Sequence, residues 1–363
     1  MLINWYASIG QGEGYSGASE NIVTSLTSKG IDVRVLSVSK VIRENLTDKG
    51  KLAIDAPFKM GDVGIAFGFP NSFNSIMNRV KIGFTMFETN KLPNGKGYRN
   101  EGNSWAGITG DSKDMINTLN ELWTPSRHNR ELFLKSGVTV PVHIMPLGVN
   151  PELFFDFSKE REARRANRPF TFLILGTLTS RKNVGAVITA FMELFTGNDD
   201  VRLIVKSKSG TMASMEFPKG VNIQIIDRNS TITELQEYYM NADCFVFPSR
   251  GEGFGLPPLE AMATGLPTIV ANNTGMSEYC NDEYNYPLND YELVPASRFP
   301  KKWGDVGTWF EPSYTELKEK MFEVYNNQDK AREKGKKASV WVAKNWTYSN
   351  TASKIIERLK VLI

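Results

Sequence analysis

CFVFPSRGEGFGLPPLEAMATGLPTIV, residues 244–270, reads as strand, turn, helix and strand in quick succession. CFVF is a short apolar run that stops at Pro248, and a second apolar run begins after Pro267. Between them three glycines free the backbone for a tight bend, and Pro257 and Pro258 suit a first helical turn, where a missing amide proton costs nothing. Gly265 then closes the helix. A strand, a helix and a second strand this close together predict a parallel pair with a right-handed crossover, hence an α/β sheet covered on both faces.

The same alternation extends in both directions. Toward the N-terminus the expected strands are 2–7, 33–38, 63–67, 80–86, 122–124 and 142–145, with a helix after the first glycine loop whose apolar positions Ala18, Ile22, Val23 and Leu26 share a face. Helices are expected near 111–119 and 126–136. A second series runs through strands 172–175, 203–205, 222–226, 244–247 and 267–270, with helices carrying Val184, Val187, Ile188, Phe191 and Phe195, and near 233–240. Residues 157–169, FSKEREARRANRP, are charged and almost without apolar side chains, and read as a linker. The fold class expected is α/β, two Rossmann-like doubly wound parallel-sheet domains facing across a cleft. The expected domains are 1–156 and 168–340, with a last helix, 345–363, packing back on the first.

At 363 residues the chain is too long for one ordinary core, which agrees with two domains. Forty-three Lys and Arg against forty Asp and Glu leave +3, so composition gives no signal for a nucleic-acid partner. Two cysteines, Cys244 and Cys280, make no disulfide framework and suggest a reducing compartment. The N-terminus begins as a strand and not as a signal peptide, and no apolar run reaches the roughly 18 residues of a membrane span. A cytoplasmic protein with at most peripheral membrane contact is the expectation.

The glycine turn carries the chemistry. Gly251, Gly253 and Gly255 let main-chain N–H groups approach a ligand, and the positive end of the following helix adds to them, which makes a site for an anion or a hydroxyl-rich group. Glu252 and Glu260 straddle the turn, with Glu260 expected in the first helical turn. Carboxylates accept several hydrogen bonds and so suit vicinal hydroxyls; two of them beside a phosphate-friendly turn describe a nucleotide sugar. On the plainer alternative Glu260 only complements the helix dipole, a contribution of about 0.3 to 1 kcal/mol, and Glu252 is solvated.

The longer string PSRGEGFGLPPLEAMATGLPTIVANNTG, residues 248–275, resembles the donor-binding signature of the retaining glycosyltransferases of family 4, whose fold is of GT-B type. The resemblance implies that Glu252 contacts the transferred sugar, Glu260 the ribose, and the backbone of Gly253, Phe254, Gly255 and Leu256 the sugar and phosphate. LGTLTSRKNVGAVITAF, residues 175–191, is similar to the family's diphosphate-binding segment, with Lys182 at the phosphate-binding position and Arg181 beside it; Thr177 stands where many members carry arginine. Residues 123–138 and 141–154 are similar to the close of the first domain, and GEGYSGASENIVTSLTSKG, residues 12–30, to the first glycine loop and helix. Gly12 and Gly14 would then approach the donor phosphate from the first domain. Where many members have a histidine, this chain has FTMFETNKLP, residues 84–93; Glu88 there would face the acceptor or the sugar, with a buried structural carboxylate as the alternative.

A retaining hexosyltransferase using a nucleotide-diphosphate sugar, UDP- or GDP-linked, follows from the resemblance, with the donor phosphate accepting the acceptor's proton. Lys182 and Arg181 are the candidates for stabilising the leaving group. No D-x-D sequence occurs in the chain, so neither a metal nor any other cofactor is expected. The acceptor, whether glycan, lipid, small molecule, protein or nucleic acid, is not readable, and His128 and His143 are read as structural.

Three rivals remain. GEGYSG satisfies G-x-G-x-x-G and could mark an NAD(P)-dependent oxidoreductase, but the acidic residue expected about 20 positions later is missing from DVRVLSVSK. A glycoside hydrolase needs one of two carboxyls about 5 to 10 Å apart kept protonated, and nothing in the sequence predicts a raised pKa at Glu252 or Glu260. A non-enzymatic carbohydrate-binding protein would have no use for a phosphate-directed Lys182. Trp303, Trp309 and Phe310 are read as packing, residues 330–337 as a solvated helix face, and residues 95–107 as a glycine-rich loop that could shape the acceptor side.

Overall fold

The computed structural model describes residues 1–10, 14–93, 112–166, 168–177, 179–207, 217–296 and 305–363. The chain divides into two compact units, the first made of 1–148, 295–308 and 346–363, the second of 149–294 and 309–345.

In the first unit the strands are β1 (Leu2–Ala7), β2 (Asp32–Ser37), β3 (Val63–Phe67), β4 (Val80–Phe84), β5 (Glu121–Thr124) and β6 (Val142–Ile144). They form one sheet in the order β2-β1-β3-β4-β5-β6, parallel throughout. Its helices are α1 (Gly14–Ser28), α2 (Asp48–Asp55), α3 (Ser112–Ile116) and α4 (Arg127–Lys135). Ala18, Ile22, Val23 and Leu26 are all buried, so the apolar face of α1 is its core face.

The second unit repeats the plan with β7 (Phe170–Leu175), β8 (Val201–Ser207), β9 (Ile223–Asp227), β10 (Cys244–Phe247), β11 (Thr268–Ala271) and β12 (Tyr286–Leu288), in the order β12-β11-β10-β7-β8-β9. These pairs too are parallel. Helices α5 (Ser158–Arg165), α6 (Val184–Phe195), α7 (Ile232–Met240), α8 (Leu256–Ala263), α9 (Tyr314–Asn326) and α10 (Gln328–Asn345) belong to it, and α11 (Tyr348–Leu362) returns to the first unit. The core gathers Phe172, Val187, Phe191, Leu203, Val246 and Ile269. A two-stranded ribbon, β13 (Tyr291–Pro295) and β14 (Thr308–Pro312), completes the strands. Among the described residues no helix is long and apolar enough to cross a membrane.

Sheet order fixes where a ligand can sit. In the second sheet the chain builds outward from β7 to β8 and β9, then crosses to β10 on the other side. The crevice where the order reverses lies at the carboxyl ends of β7 and β10, the usual ligand position in such sheets.

The expected linker is not one. Residues 158–165 form α5, and Arg161 is buried, donating from Nη2 to the carbonyls of Tyr239 and Thr264, 3.1 Å each, and from Nη1 to that of Gly265 at 3.3 Å. Its guanidinium thereby satisfies carbonyls where α7 and α8 end. Burial lowers its pKa to about 10. Residues 330–337 lie in α10, where Ala331 and Gly335 are buried and Lys330, Lys336 and Lys337 are exposed; Lys334 departs from the expected solvated face, lying 4.2 Å from the centroid of the Tyr286 ring and donating to the Asn285 carbonyl at 3.0 Å. Trp309 is buried, as packing requires, whereas Trp303 and residues 95–107 lie outside the described residues.

Candidate active site

The glycine turn leaves β10 through Pro248 and Ser249 and enters α8 at Gly255. Gly255 has φ +87°, and a Cβ there would stand 2.6 Å from the Tyr279 hydroxyl, which donates to the Gly255 carbonyl at 2.5 Å. Only glycine combines that dihedral with that contact. Pro257 and Pro258 follow in the first turn of α8. From the other side the turn Thr274–Glu278 presses on it: a Cβ on Gly275 would lie 2.2 Å from the Gly253 carbonyl oxygen. Thr274, at φ +47°, accepts the Glu252 N–H on its hydroxyl at 2.8 Å. A left-handed threonine is strained, and such residues concentrate where a function needs the geometry.

Glu252 is buried, 6% exposed. Its Oε1 receives Lys182 Nζ at 2.7 Å and the Ser249 hydroxyl at 2.5 Å, with Arg181 Nη1 2.7 Å away. Burial pushes this carboxyl up, but the Arg181 and Lys182 charges and the hydrogen bonds from Lys182 and Ser249 outweigh it, holding the pKa at about 2. The three residues named for leaving-group and sugar chemistry therefore meet as one cluster. Lys182 is 9% exposed and stands 4.8 Å from the centroid of the Phe247 ring, a cation–π contact at the end of β10. Arg181 Nη1 also donates to the Gly251 carbonyl at 2.5 Å, and the Arg181 carbonyl accepts the Arg250 N–H at 2.8 Å. These bonds stitch the loop after β7 to the loop after β10.

Outside this cluster stand residues that the sequence did not single out. Arg250 pairs with Glu311 of β14 and donates to the Ser180 carbonyl; Asn183, left-handed at φ 55°, donates to Glu311 at 2.8 Å. Asn273 bridges the carbonyls of Ser249 and Phe310 at 3.1 and 3.3 Å. Ser249 and Arg250 sit inside the quoted motif and Asn273 and Thr274 in its ANNTG end, so adjacency was their one available signal.

Glu260 lies in the second turn of α8, not the first. It is partly buried, and its Oε2 is 3.1 Å from the Tyr239 hydroxyl. Loss of hydration raises its pKa to about 7, with the Tyr239 hydrogen bond opposing. The expectation that neither glutamate has a raised pKa thus fails for Glu260: burial, which the motif does not reveal, raises it, while Tyr239 of α7 opposes the rise.

Gly253 and Phe254 line the turn with their backbones, and Phe254 is buried edge-on against Tyr279. Leu256 opens α8. In the first unit Gly14 opens α1 with clear space where a Cβ would stand, while Gly12 lies outside the described residues. Glu88, partly exposed after β4, acts electrostatically on the Tyr15 hydroxyl, whose pKa is raised mainly by burial. His128 meets the Thr89 carbonyl at 3.0 Å and His143 stands 3.4 Å from Glu121; both belong to the first unit, and burial lowers both pKa values. Among the described residues no group of three or more His, Cys, Asp or Glu could hold a metal ion.

A family model described as glycosyl transferases group 1 matches residues 156–341. The chain is 23% identical over 243 residues to the putative glycosyltransferase 45 of Sulfolobus islandicus filamentous virus (isolate Iceland/Hveragerdi), covering 64% of this chain and 65% of the viral protein. It spans 42 and 41% of the length of two other curated relatives. Among solved structures, sucrose-phosphate synthase from Thermosynechococcus elongatus aligns with TM-score 0.68 at 15% identity, over 100% of this chain and 99% of that one. Anabaena HepE in complex with UDP and glucose aligns with TM-score 0.64 at 12% identity, over 99 and 100%. At such identities these two likenesses bear on the fold alone.

Proposed function

The chain belongs to the group 1 glycosyltransferases and has the GT-B architecture, and from that premise we propose that its second unit binds a nucleotide-diphosphate sugar and donates the hexose with retention of configuration. The observation that carries this reading is the meeting of Lys182, Arg181 and Glu252 at the carboxyl ends of β7 and β10. Two cations beside the N-terminus of α8 suit a diphosphate, whose negative charge grows as the sugar departs. Glu252, kept ionised, suits the hydroxyls of the hexose, and Glu260 those of the ribose.

In this reading the anomeric carbon–phosphate oxygen bond breaks and its electron pair goes to the diphosphate. The acceptor hydroxyl attacks from the same face, forming the new glycosidic bond, and its proton passes to the departing phosphate oxygen. Lys182 and Arg181 stabilise that oxygen while the charge develops. The first unit, with Glu88, takes the acceptor. The absence of a D-x-D sequence from the chain favours a donor held without a bridging metal. UDP-glucose is the first donor to try, since the structural neighbour HepE was solved with UDP and glucose.

A thermal-shift panel of UDP-, GDP- and ADP-sugars, with and without EDTA, tests the proposal. One nucleotide sugar should stabilise the protein equally in both conditions. Stabilisation by NAD(P)H alone would reverse the reading toward the dinucleotide site.

A further inference from the structure

We propose that Tyr239 is the positioning residue of Glu260, holding its carboxyl as the acceptor for a ribose diol. The proposal rests on the nucleotide-sugar reading above. Tyr239 closes α7 from inside: it is fully buried, and its ring meets Phe154 edge-on at 5.8 Å and Phe245 at 6.0 Å. Its hydroxyl therefore has a fixed address. It stands 3.1 Å from Glu260 Oε2 and 3.3 Å from the Pro257 carbonyl, across the first turns of α8. A phenol has one proton, and a carboxylate is the stronger acceptor of the two.

Arg161 sets the distance. By donating to the carbonyl of Tyr239 and to those of Thr264 and Gly265, it ties the end of α7 to the end of α8. The hydroxyl and the carboxyl are thus held by two helices whose spacing a third element maintains. Elsewhere around α8, Tyr279 follows the turn Thr274–Glu278 with its hydroxyl given to Gly255, and α10 meets the helix through Gly335 and Ser339, which donates to the Ala263 carbonyl at 2.6 Å. Among the described residues, Tyr239 bonds Glu260 and the Glu260 charge acts on Tyr279, while Arg161 is the cation at the far end of the helix.

A ribose diol donates two hydroxyl protons, so it needs an ionised carboxyl to receive them. Loss of hydration drives Glu260 toward the protonated form near neutral pH, and the Tyr239 hydroxyl opposes that drive. One carboxylate oxygen is then engaged by Tyr239, and the proposal assigns the other to the ribose diol. Without the hydroxyl, ionisation would be delayed to higher pH, and nucleotide affinity with it.

Tyr239→Phe removes the hydroxyl and keeps the ring. Dissociation constants for UDP, GDP and ADP, measured by calorimetry from pH 6 to 8.5 in the wild type and the variant, test the idea, because their ratio cancels the titration of the ligand's own phosphates. The weakening should be about five- to tenfold at pH 6 to 7, the size expected for losing one ordinary intramolecular hydrogen bond, and under about twofold at pH 8.5. A 2′,3′-dideoxy nucleoside diphosphate should give a ratio near one throughout. A ratio independent of pH, or equal binding at every pH, overturns the proposal. Glu260→Gln separates the two levels: it should weaken binding increasingly as pH rises, and if it binds like the wild type the nucleotide assignment of Glu260 itself fails.

Discussion

At the residue scale, Glu252 and Lys182 hold each other in place, and their separate removal should give different results. On the proposed reading Lys182→Ala deletes the donor that would meet the developing charge, and transfer should fall about a hundredfold or more, with circular dichroism unchanged. Glu252→Gln should also abolish most transfer, but it leaves Lys182 and Arg181 in a buried site without their counter-ion. The cost to the free protein should be about 3 to 5 kcal/mol in chemical denaturation. The pH dependences of the two glutamates run in opposite directions. Glu252, depressed to about 2 from its ordinary 4.5, contributes stability above pH 4.5 that disappears as pH falls through 2. Glu260, raised to about 7, is favourable below 4.5 and loses that contribution as pH rises through 7. Glu260→Gln should therefore stabilise the free protein at pH 8, on the order of 1 to 3 kcal/mol, and have little effect at pH 5. Equal denaturation midpoints at pH 8 would contradict the burial of that carboxyl.

At the element scale, the site depends on two turns in backbone contact. Gly275→Ala places a methyl against the Gly253 carbonyl, a main-chain atom that cannot swing aside, so the two turns must part. Nucleotide binding measured by calorimetry should be lost, while Gly185→Ala, at an α6 position with open space around it, should bind normally. In the first unit α11 is held by Arg358, which pairs with the buried Glu121; that carboxylate also receives the Trp123 indole N–H at 3.1 Å. Arg358→Ala leaves Glu121 short of its cation and should cost about 3 to 5 kcal/mol, seen as faster hydrogen exchange along α11. Elements built on apolar runs were legible in the sequence: β1, β3 and β10 begin and end within a residue of expectation. Residues 157–169 were not, because α5 buries a single arginine, and that burial is favourable only once the carbonyls at the ends of α7 and α8 are assembled around it.

At the scale of the whole molecule, the sequence pattern determines two parallel sheets, and the order of strands within the second determines its site. Glu252 and Lys182 are 70 residues apart, yet they touch because β7 and β10 are neighbours across the reversal in strand order. Two separate motifs, residues 175–191 and 248–275, identified the two residues; their direct pairing required the topology. Tyr239 was hidden for a similar reason, since an aromatic residue on a helix looks like core until the carboxyl opposite it is known. The left-handed Thr274 has no sequence signature beyond the glycine that follows it. The most direct measurement is calorimetric titration of UDP, GDP and ADP into the wild type and Lys182→Ala in EDTA. The account predicts that at least one of these nucleotides binds the wild type and binds the variant at least tenfold more weakly; no binding to the wild type, or equal binding to both, would contradict it.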